Sequence, residues 1–344
     1  FCLSRGLGDV YKRQVFISVI IPALNNKKYL LDAINSVLNQ TLSRDKYEII
    51  VVKNFQDQDF DDYLNSKGVL SINTNKIPAS EKIIEALKIA RGDIISFLDY
   101  DDIFVPYKLE IIYKIFSNDD KVGYYRNRLI TFRDGDSIEN ILNNLKYSKE
   151  IIRVKNQEKE DKLKFMIENN AYVNNSTISI RKDILIKFIE KNIYSYKGLL
   201  DHIHFYIGLK SNYDIVLDPN VLTLYRINPH KIQEWIWKKT EYVKRGVETL
   251  NTLIALIEED NNNYAYFRYD SYAKLAWLKC WGSILPTKID SKYKLHLADL
   301  RTYNNITLKR LICVALGYMP SFVKYILVNI ALRWYLKNSI GREI

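Results

Sequence analysis

Two hydrophobic rhythms alternate through the first third of the chain. Phe16 to Ile21 is a continuous apolar, β-branched run closed by Pro22, the pattern of a strand buried on both faces of a parallel sheet. From Lys28 to Gln40 the apolar positions Leu30, Ile34, Val37 and Leu38 follow helical spacing, and Tyr47 to Val52 returns to a buried strand. Val69 to Ile72 predicts a short third strand. Ala79 to Arg91 places Ile83, Ile84, Leu87 and Ala90 on one helix face, Gly92 stops that helix, and Asp93 to Leu98 is a fourth strand. Strands alternating with helices predict a doubly wound α/β sheet, whose ligands sit beyond the carboxyl ends of the strands. The loops after Ile21, Val52 and Leu98 are therefore the places to look for chemistry.

The rhythm loosens after a helix at Pro106 to Phe116. A polar insertion is expected from Asp134 to Glu150, a strand at Ser176 to Arg181 and a helix at Gly198 to Leu209 with Asp201 in its first turn. Short strands follow at Asp214 to Leu217 and Val221 to Tyr225, and from Trp235 the pattern is almost wholly helical.

Composition narrows the class. With 344 residues and 47% hydrophobic content the chain is globular, and its net charge of +11 suits contact with phosphates, nucleic acid or an anionic membrane surface. The basic residues form no aromatic-interleaved stripe, so nucleic acid is not an expected partner. Cys2, Cys280 and Cys313 are widely spaced and predict neither a disulfide framework nor a zinc site, which leaves a reducing cytoplasm as the expected setting. Residues 1–14 have no signal-peptide core and are expected to be a non-native or disordered leader.

The third loop holds Asp99, Tyr100, Asp101 and Asp102. Carboxylates two residues apart after a buried strand can hold a hard cation such as Mg²⁺ or Mn²⁺, and that cation would bridge substrate phosphates. The plainer reading is that Asp101 or Asp102 caps the following helix. Capping needs one carboxylate, however, and three crowded together repel one another in the absence of a cation.

Four blocks in order, SVIIPALNNKKYLLDAINSVLNQT, YEIIVVKN, ARGDIISFLDYDDIFVPYKLE and GLLDHIHFYIGLKSNYDIVLDPNVLTLYRINPHKI, resemble the family 2 glycosyltransferases of GT-A fold. The likeness runs from Val15 to about Lys231. It implies a GT-A-like doubly wound mixed sheet over residues 15–231 and a helical C-terminal extension over 232–344. It implies an inverting transfer of a sugar from a nucleoside-diphosphate donor to a hydroxyl of a glycan or lipid-linked glycan. Carried over residue by residue, Pro22 and Ala23 lie against the base, Asn54 and Lys82 belong to the nucleotide site, Asp99 meets ribose or base, and Asp101 binds the metal with His230 as a further ligand. Asp201 is the general base. An acid there also fits the plainer role of complementing a helix dipole. The sequence departs from the family pattern at Lys53, Leu200 and Asn228, which motivates a second expectation, a non-catalytic nucleotide- or glycan-binding scaffold.

The segment Ile306 to Ile344 carries six cations (Lys309, Arg310, Lys324, Arg333, Lys337, Arg342) against one acid, Glu343. Its apolar runs, Leu311 to Met319 and Tyr325 to Leu332, are each too short to span a bilayer. A helical pair lying on the inner face of the cell membrane is one expectation; packing on the catalytic domain is the other.

Overall fold

A computed structural model describes residues 16–24, 27–148, 150–189, 198–227, 232–259, 264–302 and 307–338. The leader 1–14, Asn228 and His230 lie outside these residues.

The expected alternation is present. Strands β1 (Ile17–Ala23), β2 (Tyr47–Lys53), β3 (Leu70–Asn73) and β4 (Ile94–Phe97) are parallel in the order β3-β2-β1-β4, with helices α1 (Lys27–Leu38), α2 (Gln58–Ser66) and α3 (Ala79–Ile89) between them. Every residue of β1 and β2 is buried, as unbroken apolar runs require. Helix α2 is not legible as a periodic run. It buries Phe60 and Leu64 alone and starts on Asp57, whose side chain accepts from the Phe60 N–H. Gly92 lets the chain enter β4 close to β1: a Cβ there would lie 2.5 Å from the Ser18 nitrogen.

Beyond β4 come β5 (Ile103–Phe104), α4 (Lys108–Asn118), β6 (Val122–Phe132), α5 (Ile138–Asn143), β7 (Ile152–Val154), α6 (Leu163–Glu168), β8 (Ile178–Arg181), α7 (Lys182–Ile189), α8 (Leu200–Lys210) and β9 (Asp214–Arg226). Strand β8 runs antiparallel between β4 and β6, β9 is parallel to β6, and β5 and β7 both pair antiparallel with β9. This is the GT-A-like mixed sheet. Two corrections arise here. The 11-residue β6 reads as polar sequence because Arg126, Asn127 and Thr131 are interspersed, yet all three are buried in the sheet. The two short strands expected at Asp214 to Tyr225 are one strand, whose pairing register shifts between Asn127↔Asp218 and Arg128↔Val221, around Pro219.

The extension is helical: α9 (Ile232–Glu259), α10 (Ala265–Ile284), α11 (Leu297–Thr302), α12 (Leu308–Gly317) and α13 (Ser321–Asn338). A single apolar cluster joins Ile20, Val52 and Phe97 of the sheet to Val243 and Leu250 of α9 and to Phe267 and Leu278 of α10. A second cluster, including Val19, Ile49 and Ile112, fills another part of the sheet. The expectation of unpaired cysteines is overturned: Cys280 of α10 and Cys313 of α12 form a disulfide across a Cα separation of 5.2 Å. Their sequence separation of 33 residues hides a contact that only helix packing creates. No described helix is long and apolar enough to cross a membrane.

Candidate functional site

The acidic loop leaves β4 at the sheet edge where β1 also ends, since β1 and β4 are parallel neighbours. Asp102 is fully buried and accepts hydrogen bonds from Ser176 Oγ at 2.6 Å, Asn174 Nδ2 at 3.1 Å and the Arg226 N–H at 3.1 Å. It is not a helix cap; α4 begins at Lys108 behind Tyr107, which makes no capping bond. The Asp99 N–H donates to Ser176 Oγ at 2.9 Å. Burial, then the negative charges of Asp101 and Asp201, push the Asp99 carboxyl up to about 7, against a hydrogen bond from Asn175. Burial also raises Asp101, although Arg226 and Lys238 pull it back, and raises Asp102 further.

Asp201 lies in the first turn of α8. Its Oδ1 accepts from the His202 backbone N–H and from His202 Nδ1, each at 3.0 Å, and its Oδ2 accepts from the Asn174 N–H at 3.2 Å. Burial would raise this carboxyl, but His202's charge and hydrogen bonds, with Lys274 beyond, outweigh it and hold Asp201 below the ordinary aspartate value. Of these four acids Asp201 is the one held below its ordinary value, whereas Asp99, Asp101 and Asp102 are all pushed toward their neutral forms. His202 is itself buried against the Tyr172 ring, 4.4 Å between centroids, with Nε2 lacking a partner among the described residues.

The short segment Asn174, Asn175 and Ser176 ties the two halves together. Asn174 reaches both Asp201 and Asp102, Ser176 reaches Asp99 and Asp102, and Asn175 bonds His204 Nδ1 at 2.8 Å while supporting Asp99. The only signal for it in the sequence is a polar trio, NNS, ahead of the β8 run. His202 and Arg226 were likewise missed as site residues. Arg226 at the end of β9 is almost wholly buried between the Tyr29 and Phe132 rings, at 4.4 and 4.6 Å. It donates to the Asp101 carbonyl at 2.9 Å, to Asp32 at 2.8 Å and to Asp134. The backbone of the acidic loop is thus pinned by the last residue of β9.

On the β1–β2 side, Lys82 of α3 donates to the Ala23 carbonyl at 2.5 Å and to Asn54 Oδ1 at 3.1 Å, so Ala23, Asn54 and Lys82 form one group directly after Pro22. Burial pushes Lys82 down to about 8. Lys53 is turned away: its ammonium is buried on Asp61 at 3.0 Å, Asn73 at 2.6 Å and the Phe55 carbonyl at 2.9 Å. The structure therefore gathers Asp99, Asp101 and Asp201 in one place and Ala23, Asn54 and Lys82 in another. His230 lies outside the described residues. Among those residues no cluster of three or more His, Cys, Asp or Glu suited to a metal occurs. The donor set still fits a hard cation. Carboxylate oxygens are what Mg²⁺ or Mn²⁺ takes, such ions retain water and substrate phosphates as ligands, and the mutual repulsion of Asp99 and Asp101 is what a cation relieves.

Comparison with known proteins finds similarity to glycosyltransferases. The family model described as glycosyl transferase family 2 matches residues 18–184. An uncharacterized glycosyltransferase of Nostoc sp. is 36% identical over 119 residues, covering 31% of this chain and 34% of that protein. A poly(ribitol-phosphate) β-N-acetylglucosaminyltransferase of Staphylococcus aureus, TarP, is 34% identical over 104 residues, covering 28% and 32%. The crystal structure of S. aureus TarS 1-349 in complex with UDP aligns over 93% of this chain and 91% of that one, at 15% identity and a TM-score of 0.48. The matches to curated relatives span between 15% and 34% of those proteins' lengths.

Proposed function

From a chain whose residues 18–184 are a family 2 glycosyltransferase domain, we infer an inverting transferase that moves a hexosyl group from a nucleoside-diphosphate donor to a hydroxyl of a glycan or lipid-linked glycan. The observation that carries this reading is the convergence of an ionised Asp201 and the Asp99–Asp101 loop on the Asn174–Ser176 segment. Asp201 takes the proton of the acceptor hydroxyl as that oxygen bonds to the anomeric carbon, and the bond from that carbon to the diphosphate oxygen breaks on the opposite face. A bound Mg²⁺ or Mn²⁺, held by Asp101, would supply a Lewis acid for the departing diphosphate. Pro22, Ala23 and Asn54 take the base and ribose, Asp99 adds a ribose or base contact, and Lys82, which joins the loops after β1 and β2, lends its positive charge to the diphosphate. The named substrate of the TarP relative, a ribitol-phosphate polymer, supports a glycan-like acceptor.

Asp101→Asn should abolish metal-dependent donor hydrolysis and transfer, whereas Asp201→Asn should keep donor binding by calorimetry and lose transfer. Wild-type turnover in both variants rules the assignment out. The non-catalytic scaffold is the second reading, favoured by Leu200 in the position ahead of Asp201 and by Lys53 turned into the fold. Nucleoside-diphosphate binding with no donor turnover across acceptors would select it.

We further propose that the C-terminal helices lie on an anionic membrane surface. Phe322, Ile326, Leu327 and Ile330 of α13 face outward, while Lys324 is turned inward at 6% exposure with its ammonium on the Gly317 carbonyl. Between Asn304 and Gly341 the sequence has no acid. A like-charged copy would be repelled by this segment; an anionic bilayer would not. Phe322→Asp with Ile326→Asp should remove flotation with phosphatidylglycerol vesicles, and undiminished flotation rejects the contact.

A further inference from the structure

Two lysines of the helical extension meet rings and no carboxylate. Lys239 of α9 has its ammonium 4.9 Å from the Tyr242 ring centre, 4.8 Å from Trp277 and 4.8 Å from Trp281. Lys274 of α10 lies 5.0 Å from the Trp277 centre. The spacing makes them one wall: Lys274, Trp277 and Trp281 share a face of α10 at i, i+3 and i+7, and Lys239 and Tyr242 face them from α9 at i and i+3. Neither lysine forms an ion pair among the described residues. The indole and phenol faces recover part of the cost of removing an ammonium from water, yet the two cations still oppose each other. Burial, then the charge of Lys274, push Lys239 down to about 8. Tyr242 and Trp277 remain open to solvent at 39% and 41% exposure.

The wall is tied to the Asp201 side of the site through α10: Asp270, one turn before Lys274, accepts from the Tyr172 hydroxyl, the Tyr172 ring packs on His202, and His202 donates to Asp201. Lys274 is close enough to help hold Asp201 ionised, and the charge of Asp201 in turn reaches Tyr242. Lys238 reaches Asp101 instead; successive residues of a helix point about 100° apart, so Lys238 and Lys239 serve different sides of the site.

We propose that Lys239 and Lys274, with Tyr242, Trp277 and Trp281, form the acceptor subsite and select an anionic glycan. Its phosphate or carboxylate seats between the two ammonium groups while a sugar ring lies on the exposed aromatic faces. The assignment rests on the transferase reading for its name as an acceptor site, but the binding itself does not.

The test uses the full chain and three oligosaccharides of matched length: a ribitol-phosphate oligomer, a glucuronate-containing oligosaccharide and a neutral glucose oligomer. Calorimetry should show binding of the phosphate or the carboxylate oligomer, weakened by added salt, and no comparable binding of the neutral one. Which anion binds identifies the group. Lys239→Gln and Lys274→Gln should each raise that dissociation constant by about tenfold, the scale of a lost charged hydrogen bond, with donor diphosphate affinity and the thermal midpoint unchanged. Lys239→Arg should retain binding, which separates charge from packing. Equal binding of neutral and anionic oligomers, no binding of any, or a rise in the nucleoside-diphosphate constant in place of the oligosaccharide constant overturns the proposal. Failure of the underlying reading looks different: nucleoside diphosphate with Mn²⁺ would then bind the wild type and Asp101→Asn alike, or not at all, whatever the oligosaccharides do.

Discussion

Among the residues of the site, the decisive difference is between two half-buried aspartates that the same sequence logic would treat alike. Burial would raise Asp201, but the charge and hydrogen bonds of His202 hold it below its ordinary value, whereas burial and then the charges of Asp101 and Asp201 drive Asp99 up to about 7. Removing the histidine ring with His202→Phe leaves burial as the dominant influence on Asp201, so its pKa must rise. The expected outcome is that the acid limb of the kcat profile moves to higher pH, with the loss of rate larger on the acid side than on the alkaline side; an unmoved limb assigns His202 to packing. Lys82 gives a second pH signature. Its ammonium is charged below about 8, so affinity for a donor diphosphate should fall several-fold as pH rises through that value, and Lys82→Met should bind about tenfold more weakly at pH 7 with no such slope. Unfolding cannot mimic this. Between about 8 and the ordinary lysine value of 10.5 the unfolded chain binds the extra proton, so this group makes the fold more stable, not less, as pH rises.

At the level of elements, the periodic half of the molecule was legible and the organising pieces were not. Strands β1, β2 and β4 announce themselves because both faces are apolar, and the acidic loop is found from its place after β4. Strand β6 is hidden by Arg126 and Asn127, whose partners lie on β9 and neighbouring strands and are invisible to a local pattern. Asn127 Nδ2, for example, donates to Thr223 Oγ1 at 3.0 Å. The same holds for the Asn174–Ser176 segment, since its meaning lies in contacts with Asp102, Asp99 and Asp201 at separations of 27 to 77 residues. The segment makes a direct prediction. Ser176→Ala leaves the buried Asp102 short of its closest donor and should cost about 1–3 kcal/mol in chemical denaturation, and it should lower kcat by freeing the Asp99 backbone. A variant with full stability but reduced kcat would mean that the segment positions the loop without supporting the fold.

Across the whole molecule, the helical extension and the sheet are not independent. Phe267 of α10 sits with its ring 5.3 Å from Phe205 of α8 and 6.0 Å from Tyr172, and Tyr172 packs on His202 while its hydroxyl donates to Asp270 of α10 at 2.5 Å. The path from the extension to Asp201 is thus a line of contacts: α10, then Tyr172 and Phe205, then His202 and Asp201. Apolar residues of α9, α10 and the sheet belong to one cluster, so loss of packing at Phe267 cannot remain local to the extension. Phe267→Ala should cost about 3–5 kcal/mol, the range for a large core ring cut to a methyl. It should also lower kcat more than it raises the donor dissociation constant, because the hydrogen bonds joining Ala23, Asn54 and Lys82 do not run through Tyr172, Phe205 or His202. The same variant reports on cooperativity. If sheet and extension fold as one unit, the intrinsic fluorescence of the five tryptophans, all of which belong to the extension, and the far-ultraviolet signal of the whole chain should lose native character at one denaturant concentration, shifted together by the substitution. Two separated transitions, with the fluorescence change alone displaced, would show that the extension folds on its own and that its hold on Asp201 is weaker than the contacts imply.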